Sequence, residues 1–190
     1  MFAPPSVSGT VIRPSTAADV EAITRIYAWH VLNGTGTFEI EPPDRLEIER
    51  RRADVLAKGW PWLVLESAGA VAGYAYAGPF RPRPGYRFTA EDSVYVAPDA
   101  AGQGVGRAVL TRVVEACEAF GLRQLVAVIG DSGNAASINL HRSLGFEHSG
   151  VGRSFGFKHR RWVDIVWMQK SLNGGDERAP DTSGITLSGN

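Results

Sequence analysis

Glu91-Asp-Ser-Val-Tyr-Val-Ala-Pro-Asp-Ala-Ala-Gly-Gln-Gly-Val-Gly-Arg107 is the stretch that decides the fold. Its residues 93–97 are largely β-branched or aromatic and read as a strand, which Pro98 stops because proline has no N–H to give a sheet. Gly102, Gly104 and Gly106 then lead into residues 108–120, an apolar run with helical spacing. A strand, a glycine turn and a helix start form a ready anion site. The first-turn N–H groups lack intrahelical partners, and glycines let a phosphate approach the backbone. The ligand this suggests carries a pyrophosphate. A tight turn that binds nothing has the same short pattern, so the rest of the chain has to decide.

A length of 190 residues is enough for one full core and short for two domains. Twenty basic residues balance 20 acidic ones, so net charge gives no support to a nucleic-acid partner. The single cysteine, Cys117, excludes an intrachain disulfide and a cysteine-rich metal cluster, and its place in an amphipathic run reads as core. No apolar run approaches the ~18 residues that cross a bilayer, and no signal core opens the chain. The expectation is a cytoplasmic protein with neither a metal nor a membrane partner.

Residues 1–9 hold two prolines and no periodicity and read as a flexible lead-in to a single domain over residues 10–172. Residues 10–13 suggest a short first strand. A helix follows in which Val20, Ile23, Ile26 and Tyr27 share a face, Thr16 or Asp19 supplies a cap, and Gly34 and Gly36 mark the end. Residues 44–58 form a second, strongly charged helix with a stripe of Leu46, Ile48 and Val55. Phe38 and Glu39 lie between the two, as a hydrophobic plug with a solvated neighbour or as part of a binding site.

Apolar runs 62–66 and 71–77 flank the turn 67–70, the mark of a hairpin. The loop 78–87 carries Arg81, Arg83, Arg87, Phe80 and Tyr86, a set that either grips an anionic small molecule or is simply solvated. Downstream, residues 124–129 read as a buried strand, 134–144 as a helix closed by Gly145, and 146–151 with 161–169 as a final strand pair. From Asn173 the sequence is polar and patternless and reads as a disordered tail.

This order is mixed α/β, but the glycines follow the fourth strand and no acidic residue stands where a dinucleotide fold needs one. Taken with Asn134-Ala-Ala-Ser-Ile-Asn-Leu-His-Arg-Ser-Leu-Gly-Phe146, it resembles the GNAT superfamily of N-acetyltransferases. Pro61-Trp-Leu-Val, Val71-Ala-Gly-Tyr-Ala-Tyr-Ala-Gly-Pro-Phe and Gly156-Phe-Lys-His-Arg-Arg-Trp-Val-Asp are similar to the phosphinothricin and methionine sulfoximine N-acetyltransferase branch, over about residues 11–172. One position departs from the pattern: Ala101 stands where the family usually has Gln or Arg, and Arg107 is the nearby cation able to replace that charge.

The resemblance implies a mostly antiparallel central sheet with a splayed strand pair at the acetyl-CoA site and helices on both faces. It implies acetyl-CoA as co-substrate, a small-molecule amine acceptor and a homodimer. Glu91 falls at the branch's general base and His141 beside the thioester sulfur, where it either protonates the departing thiolate or assists as base. Val94, Tyr95 and Val96 match the strand edge that receives the pantetheine arm. Gly102, Gln103, Gly104, Val105, Gly106 and Arg107 match the pyrophosphate loop, and Asn134, Ser137 and Ser143 match cofactor-side positions of the following helix. Phe38, Glu39, Arg83, Tyr86, Arg87, Asp92 and Ser93, with Glu91, become candidates for the acceptor pocket. The expected activity is direct acetyl transfer to the α-amine of a small amino-acid analogue. Acetylation of another amine and acetyl-CoA sensing without turnover are the alternatives.

Overall fold

A computed structural model describes residues 9–180 and 183–185. Most of the N-terminal lead-in, and the tail at residues 181–182 and 186–190, lie outside the described residues. The elements run β1 (Val11–Pro14), α1 (Val20–Asn33), α2 (Arg45–Ala57), β2 (Trp62–Ser67), β3 (Ala70–Pro79), β4 (Thr89–Val96), α3 (Val105–Ala119), β5 (Gln124–Gly130), α4 (Ala135–Ser143), β6 (Glu147–Lys158) and β7 (Arg161–Ser171). The strands form one seven-stranded sheet in the order β1-β2-β3-β4-β5-β7-β6. Every neighbouring pair is antiparallel except β4 and β5, which run parallel.

Alternation along the strands assigns the two faces. Tyr74 and Tyr95 stack at 5.3 Å on one face, where the edge of Tyr27 from α1 meets Tyr95 at 5.0 Å. Gly73 on β3 points the other way, where an added Cβ would lie 2.7 Å from Val105 Cγ1, so glycine is what lets α3 sit this close to the sheet. Helices α1 and α2 thus cover one face, and α3 and α4 the other. The expected mixed α/β sheet with helices on both faces is what the chain forms.

Local caps explain the helix limits. Asp44 Oδ1 accepts from Glu47 N at 2.8 Å at the start of α2, Asn134 Oδ1 accepts from Ser137 N at 3.2 Å at the start of α4, and Gly34 closes α1. A one-turn 3₁₀ segment, Ala17–Asp19, precedes α1, and its Asp19 is gripped by Arg13 at 2.7 and 2.8 Å, an arginine that also reaches Glu66.

Three expectations need correction. Leu46 does not join the apolar stripe of α2: it is 70% exposed, while Ile48 alone of that set is fully buried. Strand β6 runs on to Lys158 instead of ending near Val151, because pairing with β7 carries it past glycines that weaken any strand signal in sequence. The segment after Leu172 is also held: Asn173 Nδ2 donates to Glu118 O and Leu122 O, and buried Arg123 donates through Nε to Gly175 O at 2.8 Å. Backbone carbonyls do this work, so side-chain pattern could not reveal it.

Candidate active site

Strands β4 and β5 are in register from Thr89↔Gln124 to Asp92↔Ala127, and no pairing continues beyond. The strands part there, leaving the β5 side of residues 93–96 free for a ligand. The cleft that opens at this fork has a volume of about 780 Å³ and runs to the start of α3.

Helix α3 has no side-chain cap, and its N-cap is Gly104 in the left-handed conformation, φ 81°. The first intrahelical bond is donated by Ala108 to Gly104 O at 3.0 Å, so the N–H groups of Val105, Gly106 and Arg107 have no intrahelical partner. Gly102 is also left-handed, φ 75°, and nothing lies within 4 Å of a Cβ added at either glycine. These two positions need glycine for backbone conformation and leave the space in front of the loop open. Arg107 is exposed at the cleft and makes no side-chain hydrogen bond among the described residues. An uncapped 15-residue helix with a cation beside its N-terminus fits a pyrophosphate. The departure at Ala101 leaves this arrangement intact, because the donors are backbone groups.

The predicted cofactor residues Val94, Tyr95, Val96, Gly102, Gly104, Val105, Gly106, Arg107, Asn134 and Ser137 line the cleft, as does His141. Two do not. Gln103 turns its amide to Asp99 O at 2.8 Å, and the exposed Ser143 donates its hydroxyl to Leu140 O at 2.7 Å, as helix-end hydroxyls commonly do.

Glu91 and Asp92 alternate across β4. Glu91 is half-buried on the α1/α2 face, and burial pushes its carboxyl up; the charge of Asp92 adds to the shift and Arg81 opposes it. Asp92 projects to the α4 side, where its Oδ2 lies 3.0 Å from His141 Nε2. Burial pulls His141 down, but the hydrogen bond and charge of Asp92, with the Ser137 carbonyl, leave its pKa raised. Asp92, expected in the acceptor pocket, is therefore a buried partner of His141. Ser93 lines the cleft.

The other acceptor candidates divide. The Phe38 ring packs on β6 so closely that a Cβ at Gly156 would stand 2.7 Å from it. Glu39 is not a solvated charge: it accepts from Tyr27 Oη at 3.0 Å and from Arg51 at 2.5 Å. Tyr86 borders a smaller hollow of about 320 Å³ with Phe80, Val126 and Trp167. Arg83 is exposed and lines neither space. Arg87 turns away, donating to Pro84 O at 3.2 Å and lying over Phe88, while its carbonyl accepts from Ile185 N. Sequence proximity to Glu91 suggested these arginines, and the 3₁₀ turn Pro84–Tyr86 redirects them. The arginine that acts on Glu91 is Arg81.

Sequence reasoning missed His30. It sits on α1, lines the cleft, and donates from Nε2 to Val96 O at 2.8 Å, tying α1 to the parted end of β4; burial pushes its pKa down, so it stays neutral. It also missed the turn after β6, where Lys158 donates to Thr37 O at 2.8 Å, His159 to Gly34 O at 3.1 Å, and Arg161 pairs with Asp131, which holds Thr35. These bonds fix the α1–α2 connection over the fork. A basic cluster in a hairpin turn carries no sequence signal for that contact, 121 residues distant in the case of Lys158 and Thr37.

Comparison with known proteins agrees with this geometry. Residues 23–146 match the acetyltransferase (GNAT) family. The chain is 55% identical over 163 residues to a phosphinothricin N-acetyltransferase of Alcaligenes faecalis, covering 86% of this chain and 83% of that one. It is 44% identical to an L-methionine sulfoximine/L-methionine sulfone acetyltransferase of Pseudomonas aeruginosa, over 85% of this chain and 94% of the relative. A phosphinothricin acetyltransferase from Sinorhizobium meliloti, solved with AcCoA, superposes with a TM-score of 0.87 at 45% identity, covering 93% of this chain and 95% of that one. A cradle of unpartnered amides at a strand fork, in a chain this similar to acetyl-CoA enzymes over nearly its whole length, makes the protein a member of the GNAT acetyltransferase family.

Proposed function

We propose that the protein is an acetyl-CoA-dependent N-acetyltransferase acting on the α-amine of a small amino-acid analogue of the phosphinothricin, methionine sulfoximine or methionine sulfone kind. The observation that carries the reading is the fork itself: an uncapped α3 N-terminus faces the cleft, and a half-buried Glu91 with a raised pKa, which does not line that cleft, stands on β4 just before the strands part. The relatives named for these substrates support the acceptor class.

Acetyl-CoA, when bound, supplies an acetyl thioester whose sulfur leaves with the electron pair of the broken C–S bond. The N–H groups of residues 105–107 and the side chain of Arg107 would hold its phosphates. The free edge of residues 93–96 takes the pantetheine arm and offers an N–H to the thioester oxygen. Glu91 attracts the acceptor's ammonium and takes one proton from it, directly or through a water, which frees the nitrogen lone pair to form the new N–C bond. Burial suits Glu91 to that task by raising its affinity for the proton. Phe38, Glu39 and Tyr86, carried on the pinned α1–α2 connection and the loop before β4, wall the acceptor side. Arg81 takes the place of Arg83 and Arg87 as the cation for an anionic head group.

The β6–β7 end is where a second copy would pack. Phe155, Phe157 and Trp162 are 60%, 58% and 62% exposed, far more apolar surface than a lone hairpin end normally shows to water.

The test is release of CoA thiol from acetyl-CoA with a panel of phosphinothricin, methionine sulfoximine, methionine sulfone, polyamines and peptides. Turnover with the first three is expected. Release with none of the panel, together with tight CoA binding, would replace the enzyme reading with a sensor.

A further inference from the structure

Asp92 and His141 are the two most enclosed ionisable side chains at the fork, with 0% and 3% of their side-chain surfaces exposed. Asp92 is the last β4 residue in register with β5, so the pair joins α4 to β4 at the point where the strands part. The imidazole has a partner on each nitrogen: Asp92 Oδ2 at 3.0 Å from Nε2, and Ser137 O at 2.8 Å from Nδ1. A carbonyl oxygen only accepts, so Nδ1 carries a hydrogen. Taken with Asp92 as a carboxylate, which also only accepts, Nε2 carries one too. A ring with both nitrogens protonated is an imidazolium, and it has no lone pair with which to take a proton.

Among the described residues no other charge faces the pair. Phe146 meets the ring edge-on at 5.0 Å, Ala127 lies opposite Asp92 on β5, and Cys117 on α3 is a neutral thiol pushed up to about 12, first by burial and then by Asp92. Glu91 is on the other face of β4, and Arg142 on α4 is exposed and bonded to Asn139. Among the described residues Asp92 Oδ1 has no hydrogen-bond partner. Burying an ion pair with one oxygen unsatisfied costs several kcal/mol of desolvation per ion, and apolar residues of the same volume would hold α4 to β4 as well or better. Stability is a poor reason for this pair to be here.

We propose that Asp92 is a positioning residue that keeps His141 doubly protonated beneath the acetyl site, so that His141 is excluded as a base and Glu91 alone takes the acceptor's proton. This rests on the acetyltransfer reading above. In the reaction the ammonium proton goes to Glu91 and on to water, the sulfur keeps the C–S electron pair and takes its proton from water, and His141 ends as it began.

The charge state can be read without turnover. The chain has four histidines, and ¹⁵N spectra of the imidazoles, with His141 assigned by its loss in His141→Gln, report each ring nitrogen. At a pH just above 6.5, where an ordinary histidine is mostly neutral, both His141 nitrogens of the wild-type protein are expected at protonated shifts. In Asp92→Asn the ring should become neutral at the same pH. The pH profile of kcat should then gain an ionisation near or below 6.5, the ordinary value for histidine. The KM for acetyl-CoA should stay within about twofold of wild type.

A neutral His141 in the wild-type protein at that pH overturns the proposal, and this outcome does not depend on the variant folding. So does a folded Asp92→Asn with the wild-type pH profile. Absence of turnover with every acceptor would remove the enzyme reading and leave the ¹⁵N result standing as a separate answer.

Discussion

Glu91 and Asp92 are adjacent carboxylates given opposite tasks by the alternation of one strand. Glu91 has no hydrogen-bonded cation among the described residues, and burial raises its carboxyl above the ordinary value, which suits it to take up a proton. Glu91→Gln keeps the shape and removes that capacity, and kcat is expected to fall about 10²- to 10⁴-fold, with CoA affinity by calorimetry nearly unchanged. Raising the pH should recover part of the loss as more free amine becomes available. His141 has a thermodynamic signature as well. Its pKa is raised above the ordinary 6.5, so its contribution to stability is complete below that value and is lost as pH rises through the higher, folded-state value. In Asp92→Asn burial, the largest cause, is opposed only by the Ser137 carbonyl, so the folded pKa falls below the ordinary value and the sign reverses: stability should now increase as pH rises toward 6.5, with no loss above it. Denaturant unfolding at a series of pH values for both proteins checks the reversal, and parallel slopes would remove it.

At the scale of elements, the α3 N-terminus sets two effects against each other. Gly104→Glu places a carboxylate at a helix N-terminus, which favours the helix by about 0.3–1 kcal/mol. The left-handed backbone at this position, φ 81°, costs a side-chain-bearing residue about 1–2 kcal/mol. The backbone cost is the larger, so the variant should fold with a lower Tm, while its carboxylate repels the pyrophosphate and CoA affinity falls severely. Unchanged CoA affinity in the folded variant would sink the cradle assignment. The α1–α2 connection gives a complementary test. A Cβ at Gly156 would lie 2.7 Å from the Phe38 ring, so Gly156→Ala must displace that ring without touching the CoA cleft. The acceptor KM should change several-fold and the acetyl-CoA KM should not. Equal effects on both would show that Phe38 does not wall the acceptor side.

The strand, glycine turn and α3 were legible because their cause is local: proline stops a strand, and left-handed positions select glycine. Asp44 and Asn134 announced helix starts for the same reason. The pairing of Asp92 with His141 was not legible, since it depends on which face of β4 each neighbour takes and on a helix 49 residues away. His30, Lys158 and Arg123 were invisible for a related reason, because each bonds a backbone carbonyl, and carbonyls have no letter in a sequence.

On the scale of the whole molecule, the sheet's first edge is stitched to the first helix by charge, and acid should undo it there. Arg13 bonds Asp19 at 2.7 and 2.8 Å and Glu66 at 2.8 Å, tying β1 to the turn before α1 and to β2. Asp19 is 4% exposed, and its hydrogen bonds from Arg13, with those from Thr16, outweigh burial and pull its carboxyl down from 3.8 to about 2. A depressed carboxylate contributes stability that is fully present above its unfolded value and is lost as pH falls through the folded one. The window is therefore from about 4 down to about 2, and the contribution on the order of 2 kcal/mol. Asp19→Asn should remove that acid slope. At neutral pH it should cost more than the slope alone, because among the described residues Arg13 then keeps only the half-exposed Glu66 as an ionic partner. Thermal unfolding of wild type and variant between neutral pH and about pH 3 measures both quantities. The Tm difference between the two proteins is expected to shrink as the pH is lowered. A difference that stays constant across that range would mean that the Asp19 carboxylate is not what acid takes from the fold.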